Sequence, residues 1–286
     1  MLRPACFFLL CLPALADGVT PGLITIRKQV PEQVVTQVQV PDKSGGKIVK
    51  IETKTVWKSK TEEQTLNPER TAMIICDMWD DHWCKEAAKR SDALAKAIAP
   101  LVEAARKSGV TIIHCPSETM DFYKGNNARI RTLALKRVEP PKNKDLPNPP
   151  LPIDDAEGGC DDAVPAKPFK AWKRQHEAIA IDEAKDFITD QGTDVFNVLK
   201  EKNIETVLVL GVHTNMCVLN RSFAIKQLRK WDVNCLLVRD LTDAMYDPKK
   251  KPFVTHEKGT QLVVEYIERY WCPSCCSRDL FKLFAK

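Results

Sequence analysis

The segment TVLVLGVHTNMCVLNRSFAIKQL, Thr206 to Leu228, restricts the possible folds more than any other part of the chain. Val207 to Leu210 are successive apolar residues with no polar alternation. A run of that kind reads as a strand covered on both faces, as in a parallel sheet. Gly211 and a short polar turn follow, and a helical pattern is predicted from Cys217 to Lys230. Free N–H groups and the helix dipole at such a start favour thiolate over thiol. The same amides can hold the oxyanion formed when that sulfur attacks a carbonyl-type carbon. The alternative is that Cys217 is one more small apolar residue packed under a helix.

The rest of residues 66–286 repeats this alternation. Strands are predicted at Thr71 to Asp77, Val110 to Cys115, Ala178 to Ile181, Thr206 to Gly211 and Val233 to Arg239. Helical periodicity separates them at Cys84 to Ser108, Asp190 to Lys202, Cys217 to Lys230 and Gly259 to Tyr270. Strands joined by helices imply an α/β fold of three layers, α/β/α, around a mainly parallel sheet. Ligands of such sheets sit beyond the carboxyl ends of the strands. Asp77, the residues after Cys115 and the turn from Gly211 to Cys217 all emerge there.

Three other stretches differ from this domain. Residues 17–65 alternate apolar and polar residues over Leu23 to Val30, Gln33 to Val40 and Lys47 to Trp57, with a turn at Ser44 to Gly46. They read as an antiparallel N-terminal β extension. Residues 138–173 are an insert rich in proline, aspartate and glycine, which opposes helix and central strand alike. A loop that long is a wall or lid for a site, a subunit contact, or a mobile insert. Residues 1–16 have a charged start at Arg3, a short apolar run and Ala14-Leu15-Ala16 before Asp17. These are the parts of a cleavable signal peptide, with cleavage after Ala16 and a secreted or periplasmic product. The apolar run is too short for a stable anchor, so no membrane association is expected after cleavage.

Cleavage would leave nine of the eleven cysteines, so at least one thiol stays unpaired, and Cys217 is the candidate. Cys76 and Cys235 fall inside strands. Cys84, Cys160, Cys272, Cys275 and Cys276 fall in loops or near ends, where disulfides are expected, including a staple of the CPSCC tail. The net charge of +5 is dispersed, and the only tight run, Lys249 to Lys251, lies between prolines. That pattern excludes a nucleic-acid partner.

GVHTNMCV and RTAMIICDMWDDHW together resemble the nucleophile turn and first strand of the isochorismatase-like cysteine hydrolases, which include nicotinamidases and N-carbamoyl amidohydrolases. Gly211, Val212, Thr214, Asn215, Cys217 and Val218 match the first pattern, and Asp77 ends the second. The resemblance covers Leu66 to Tyr270 and implies the isochorismatase-like, Rossmann-like form of the α/β fold. It implies Cys217 as nucleophile, Asp77 as base, and an oxyanion hole from the amides of His213 and Cys217, with a cis peptide at Val212–His213. It also implies a lysine after the third strand. In AIAIDEAKDFITDQGTDVF the nearest is Lys185, flanked by acids, with Asp182 or Glu183 competing for the position and Arg174 as another source of positive charge.

Around these residues, Trp79 and His82 are candidates to bind substrate, and Asn215 to orient it or brace the turn. Asp80, His82 and His114 are too weak a set to predict a metal, and no cofactor is expected. The reading is an exported hydrolase that cleaves a C–N bond of a small amide through a thioester on Cys217. The alternatives are an inactive binding or assembly protein of the same fold, and a thiol–disulfide protein using its C-terminal cysteines. A small-molecule substrate and a homo-oligomer are the expected partners.

Overall fold

A computed structural model of the chain describes residues 20–41 and 46–285. The predicted signal peptide and its cleavage site lie outside the described residues. Each short, wholly buried apolar run became a strand. These are β3 (Thr71–Cys76), β4 (Thr111–Cys115), β6 (Thr206–Val212) and β7 (Cys235–Asp243). A long hairpin, β1 (Gly22–Pro41) with β2 (Lys47–Leu66), precedes them. Two short strands, β5 (Phe187–Ile188) and β8 (Ser274–Cys275), complete an eight-stranded sheet in the order β2-β1-β8-β7-β6-β3-β4-β5. From β8 to β5 all neighbours are parallel, while β1 runs antiparallel to both β8 and β2.

Helices cover both faces. They are α1 (Lys85–Lys107), α2 (Asn127–Leu133), α3 (Gly192–Glu201), α4 (Cys217–Asn220), α5 (Ile225–Lys230), α6 (His256–Tyr270) and α7 (Ser277–Phe284). Alternate residues of the central strands supply two separate cores. Ile74, Val209 and Leu237 pack with Phe223, Leu228 and Ile267, whereas Met73, Leu208 and Leu236 pack with Ile98, Leu101 and Leu280. This is the expected three-layer α/β/α arrangement. Among the described residues, no helix is long and apolar enough to cross a membrane.

Three local expectations are corrected, and a fourth, the antiparallel extension, is made specific. The third parallel strand is Phe187–Ile188, and Ala178 to Ile181 form a turn region instead. The Asp186 carboxylate, held by Arg106 and His114, sets the following Phe187 beside Ile113. The single helix predicted from Cys217 breaks at Arg221, whose ψ of 155° is extended, and resumes at Ile225. The CPSCC tail forms no staple, because Ser274 and Cys275 pair as a strand with β7 and β1. Cys272, Cys275 and Cys276 remain thiols, as does Cys217. Finally, the extension is one uninterrupted hairpin. Pro31 is tolerated within β1 because the strand has an open edge beyond its short pairing with β8.

At about 3.3 Å per residue, each arm of that hairpin reaches roughly 65 Å. Ile24, Ile26 and Leu66 seat its base in the core. The distal half stands free, with Val35 62%, Ile51 64% and Val49 57% exposed. Cross-strand pairing puts Val35, Gln37 and Gln39 on one face with Thr53, Ile51 and Val49, six residues without a charge, and Lys47 ends that face at the tip.

The insert is tied down along its length. Lys144 N–H donates to Lys230 O, Asp154 N–H to Lys251 O, and Tyr266 Oη to Pro149 O. A disulfide joins Cys160 to Cys84 at the start of α1, closing a sequence separation of 76. Gly159 beside it has φ +61°, and a Cβ there would strike the Met245 carbonyl, so the position needs glycine. Replacing both Cys84 and Cys160 by serine should lower the unfolding free energy by about 2–4 kcal/mol, the usual worth of a native disulfide. Urea unfolding of the double variant checks this, and an unchanged midpoint would contradict it.

Candidate active site

The carboxyl ends of β3 and β6 are adjacent, with Cys76 beside Gly211 in the ladder. A Cβ on Gly211, whose φ is +112°, would collide with the Cys76 carbonyl. Glycine therefore allows the two strand ends to approach, and the residues that follow them, Asp77 and the turn to Cys217, meet. The peptide between Val212 and His213 is cis. Thr214 N–H donates to Asp243 O, and its Oγ1 shares a 2.8 Å hydrogen bond with Thr242 Oγ1. Asn215, 1% exposed, braces the turn from the other side. Its Nδ2 donates to Asp155 Oδ2 at 2.9 Å and to Met245 O, and its Oδ1 accepts from Met245 N–H.

Asp77 is fully buried and has φ +46°, a left-handed backbone uncommon outside glycine and several-fold enriched in Asp and Asn. Strain of this kind collects where surrounding structure must hold a side chain in place. The Ser117 N–H donates to Asp77 Oδ1 at 2.7 Å, and Arg221 Nε donates to Oδ2 at 2.8 Å. Burial raises the Asp77 pKa from its ordinary value, while Arg221, Cys217 and Ser117 oppose that rise. Burial also pushes the Cys217 thiol up, and the Asp77 charge adds to it. Arg221 and the His213 amide, which faces the sulfur, pull it back. The site therefore sets a thiol held towards its protonated form beside a buried carboxylate that accepts from a guanidinium and a backbone amide.

Arg221 is the residue that sequence reasoning missed. Lys185 is exposed on the turn before β5, away from this cluster. The place after β5 is taken by Asp190, whose carboxylate accepts from Glu118 N–H. Arg174 pairs with Glu177 and Asp80. The available signal was the spacing of Arg221 four residues after Cys217. On a helix that spacing places the two side chains on one face, and here the Arg221 side chain reaches the Asp77 carboxylate. The broken helix also changes which positive charge acts on Cys217. A single turn, Cys217–Asn220, supplies little dipole, so the full charge of Arg221 takes over that part.

Cys217 and Arg221 line a cavity of about 590 Å³, within the range of small-molecule sites. Asn215 and Lys226 also face it, and the insert contributes Pro149, Leu151 and Asp155. Trp79 and His82 are not among its walls. Trp79 stacks on Trp172 of the insert at 4.0 Å, donates through Nε1 to Ser117 O, and lies 5.9 Å beneath the Arg221 guanidinium. His82 Nδ1 accepts from Cys84 N–H, and its ring meets His213 edge-on at 4.9 Å. Both buttress the site from behind. Burial lowers the His213 pKa to about 3, so its ring is neutral.

The residues weighed for a metal do not fit one. His114 commits its ring nitrogens to Gln175 and Asp186, and Asp80 accepts from Lys173 and Arg174 N–H. The three ligand atoms that do converge among the described residues belong to Cys84, Cys160 and Asp162, and two of them form the disulfide.

Comparison with known proteins agrees with this geometry. No curated protein matches the chain. Among solved structures, the chain is similar to a cysteine hydrolase from Pseudomonas syringae pv. phaseolicola 1448A, at 19% identity and a TM-score of 0.50, covering 77% of this chain and 94% of that one. It is also similar to an isochorismatase family protein from Burkholderia thailandensis, at 16% identity and a TM-score of 0.43, covering 77% and 98%. At these identities the likeness concerns the fold alone. The isochorismatase domain family matches residues 71–256, which include both the Asp77 strand and the Cys217 turn. The chain belongs to the isochorismatase family.

Proposed function

We propose that this protein is a cysteine hydrolase that cleaves the C–N bond of a small amide through a thioester on Cys217. The observation that carries the reading is the meeting of Cys217 and Arg221, on the cavity wall, with the buried Asp77 behind them. As the sulfur adds to the substrate carbon, the thiol proton passes to Asp77. The oxyanion is received by the backbone N–H groups of His213 and Cys217. Asp77 then returns the proton to the departing nitrogen, ammonia or an amine leaves, and the acyl group stays on sulfur. Asp77 next takes a proton from water, the resulting hydroxide attacks the thioester, and the C–S bond breaks. The acid departs and Cys217 regains its proton. Arg221 keeps Asp77 ionised before attack and offsets the charge on sulfur during it. That role stands where the sequence suggested Lys185, and it supports the enzymatic reading over an inactive binding protein. Asn215 holds the turn, and Trp79 and His82 support it rather than touch substrate.

The test is to mix the protein with a panel of primary amides and N-carbamoyl compounds, quench in acid and weigh the peptide carrying Cys217. An acyl adduct with release of ammonia is expected. Neither adduct nor ammonia with any member would overturn the reading.

We also infer export, with residues 1–16 removed after Ala16. The Cys84–Cys160 disulfide supports this, since such bonds persist mainly in oxidising compartments. The exposed Val35, Val49 and Ile51 of the free hairpin arm support self-association, because an isolated two-stranded ribbon is only marginally stable in water.

A further inference from the structure

Lys226 opens onto the same cavity as Cys217, from the first turn of α5. Its ammonium donates to a neutral acceptor, Asn220 Oδ1, at 2.8 Å and lies 5.2 Å from the centre of the Trp271 ring. The Asn220 amide cannot turn freely, because its Nδ2 donates to Asn215 O at 3.1 Å and to Met216 O at 2.8 Å. Those carbonyls belong to the nucleophile turn, so the position of the ammonium is set relative to Cys217. Arg90, Arg106, Arg129 and Arg221 each face a carboxylate, but Lys226 has none within 4.0 Å among the described residues. Burial lowers its pKa, with Lys230 contributing in the same direction. A cation partly stripped of water and left unpaired costs free energy, which a bound anion recovers.

The other charges of the cavity are already engaged. Arg221 is bound to Asp77 through Nε, and Asp155 accepts from Asn215. The negative charge of Asp155 keeps an anion off the insert wall, and Pro149, Leu151 and Tyr266 offer only apolar surface or a hydroxyl already donated to Pro149 O. Among the described residues lining the cavity, Lys226 is thus the cation without a carboxylate partner.

We propose that Lys226 is a specificity-determining residue that receives a carboxylate, so that the substrate is a carboxylate-bearing amide whose amide carbon faces Cys217. This rests on the hydrolase reading for its chemistry, but the anion site can be tested without turnover.

Succinamate and butyramide have the same chain length and differ in one terminal carboxylate. The wild-type protein is expected to show a kcat/KM at least about tenfold higher for succinamate, one charge-assisted contact being worth that much or more. In Lys226→Gln the ratio should fall to within about twofold of unity, and Lys226→Arg should restore most of it. A wild-type ratio near one, or a ratio that Lys226→Gln leaves intact, would overturn the proposal. If neither amide is cleaved, protection decides. Succinate should slow addition of N-ethylmaleimide to Cys217 in the wild type, read by mass spectrometry, but not in Lys226→Gln. Protection without turnover would keep the anion site and count against the hydrolase; equal rates with and without succinate in the wild type would remove the site.

Discussion

Arg221→Met should lower kcat/KM on an amide substrate by roughly 10²–10³-fold, the usual effect of removing one charge that stabilises a developing anion. Cys217→Ala, which removes the nucleophile, sets the floor for comparison. The pH profile separates an electrostatic role from a structural one. Arg221 holds the Asp77 pKa down against burial, so its loss moves that pKa further up. Asp77 acts as a base only when ionised, and the acid limb of kcat/KM should shift to higher pH. A variant with reduced activity but an unmoved acid limb would show that Arg221 acts only through packing. Stability should fall by about 2 kcal/mol, less than for a fully buried pair because 31% of the Arg221 side chain meets solvent. Arg221→Lys keeps the charge without the planar donor array and should recover part of the rate.

The largest loss of stability is expected at Asp186→Asn, about 3–5 kcal/mol by urea unfolding, with little direct effect on the site chemistry. Asp186 is 1% exposed and accepts from Arg106, from His114 Nε2 at 2.9 Å and from Asp182 N–H at 2.8 Å. The variant leaves Arg106 facing a neutral amide in a site built for a carboxylate. Despite burial, these partners lower the Asp186 pKa to about 2. Its folded value lies below its unfolded one, so the stabilisation is complete above about pH 4 and is lost as pH falls through about 2. A shift of roughly two units corresponds to about 2–3 kcal/mol. Acid unfolding of the wild type should therefore steepen in that window, and Asp186→Asn should remove the steep part. Asp77 works in the opposite sense, since its raised pKa costs folded stability at neutral pH.

The parallel sheet was legible because Val207 to Leu210 and Ala72 to Cys76 are short, uniformly apolar runs, a pattern that suits a sheet covered on both faces. The Asp77 and Cys217 strand ends followed from the same logic. What could not be read depended on contacts distant in sequence. Phe187 and Ile188 are too short a run to outcompete Ala178 to Ile181 until Asp186 is fixed by Arg106 and His114. Ser274 and Cys275 become a strand only because β1 and β7 present open edges to them. Arg221 has no local signature, because its partner is a buried carboxylate that follows a strand 144 positions away. Trp79 and His82 were expected to contact substrate, yet they lie outside the cavity lining, where Trp172 of the insert stacks over them, and a loop position of that kind has no local signature.

The placement of Arg221 four positions after Cys217 has one more implication. Sulfur and counter-charge travel on a single loop, as a self-contained cassette anchored by Gly211 at one end and Ile225 at the other. The stretch from Ile181 to Asp190 is relieved of supplying an amine at a fixed reach. Its remaining duty is to the fold, through the Asp186 carboxylate and the short strand β5.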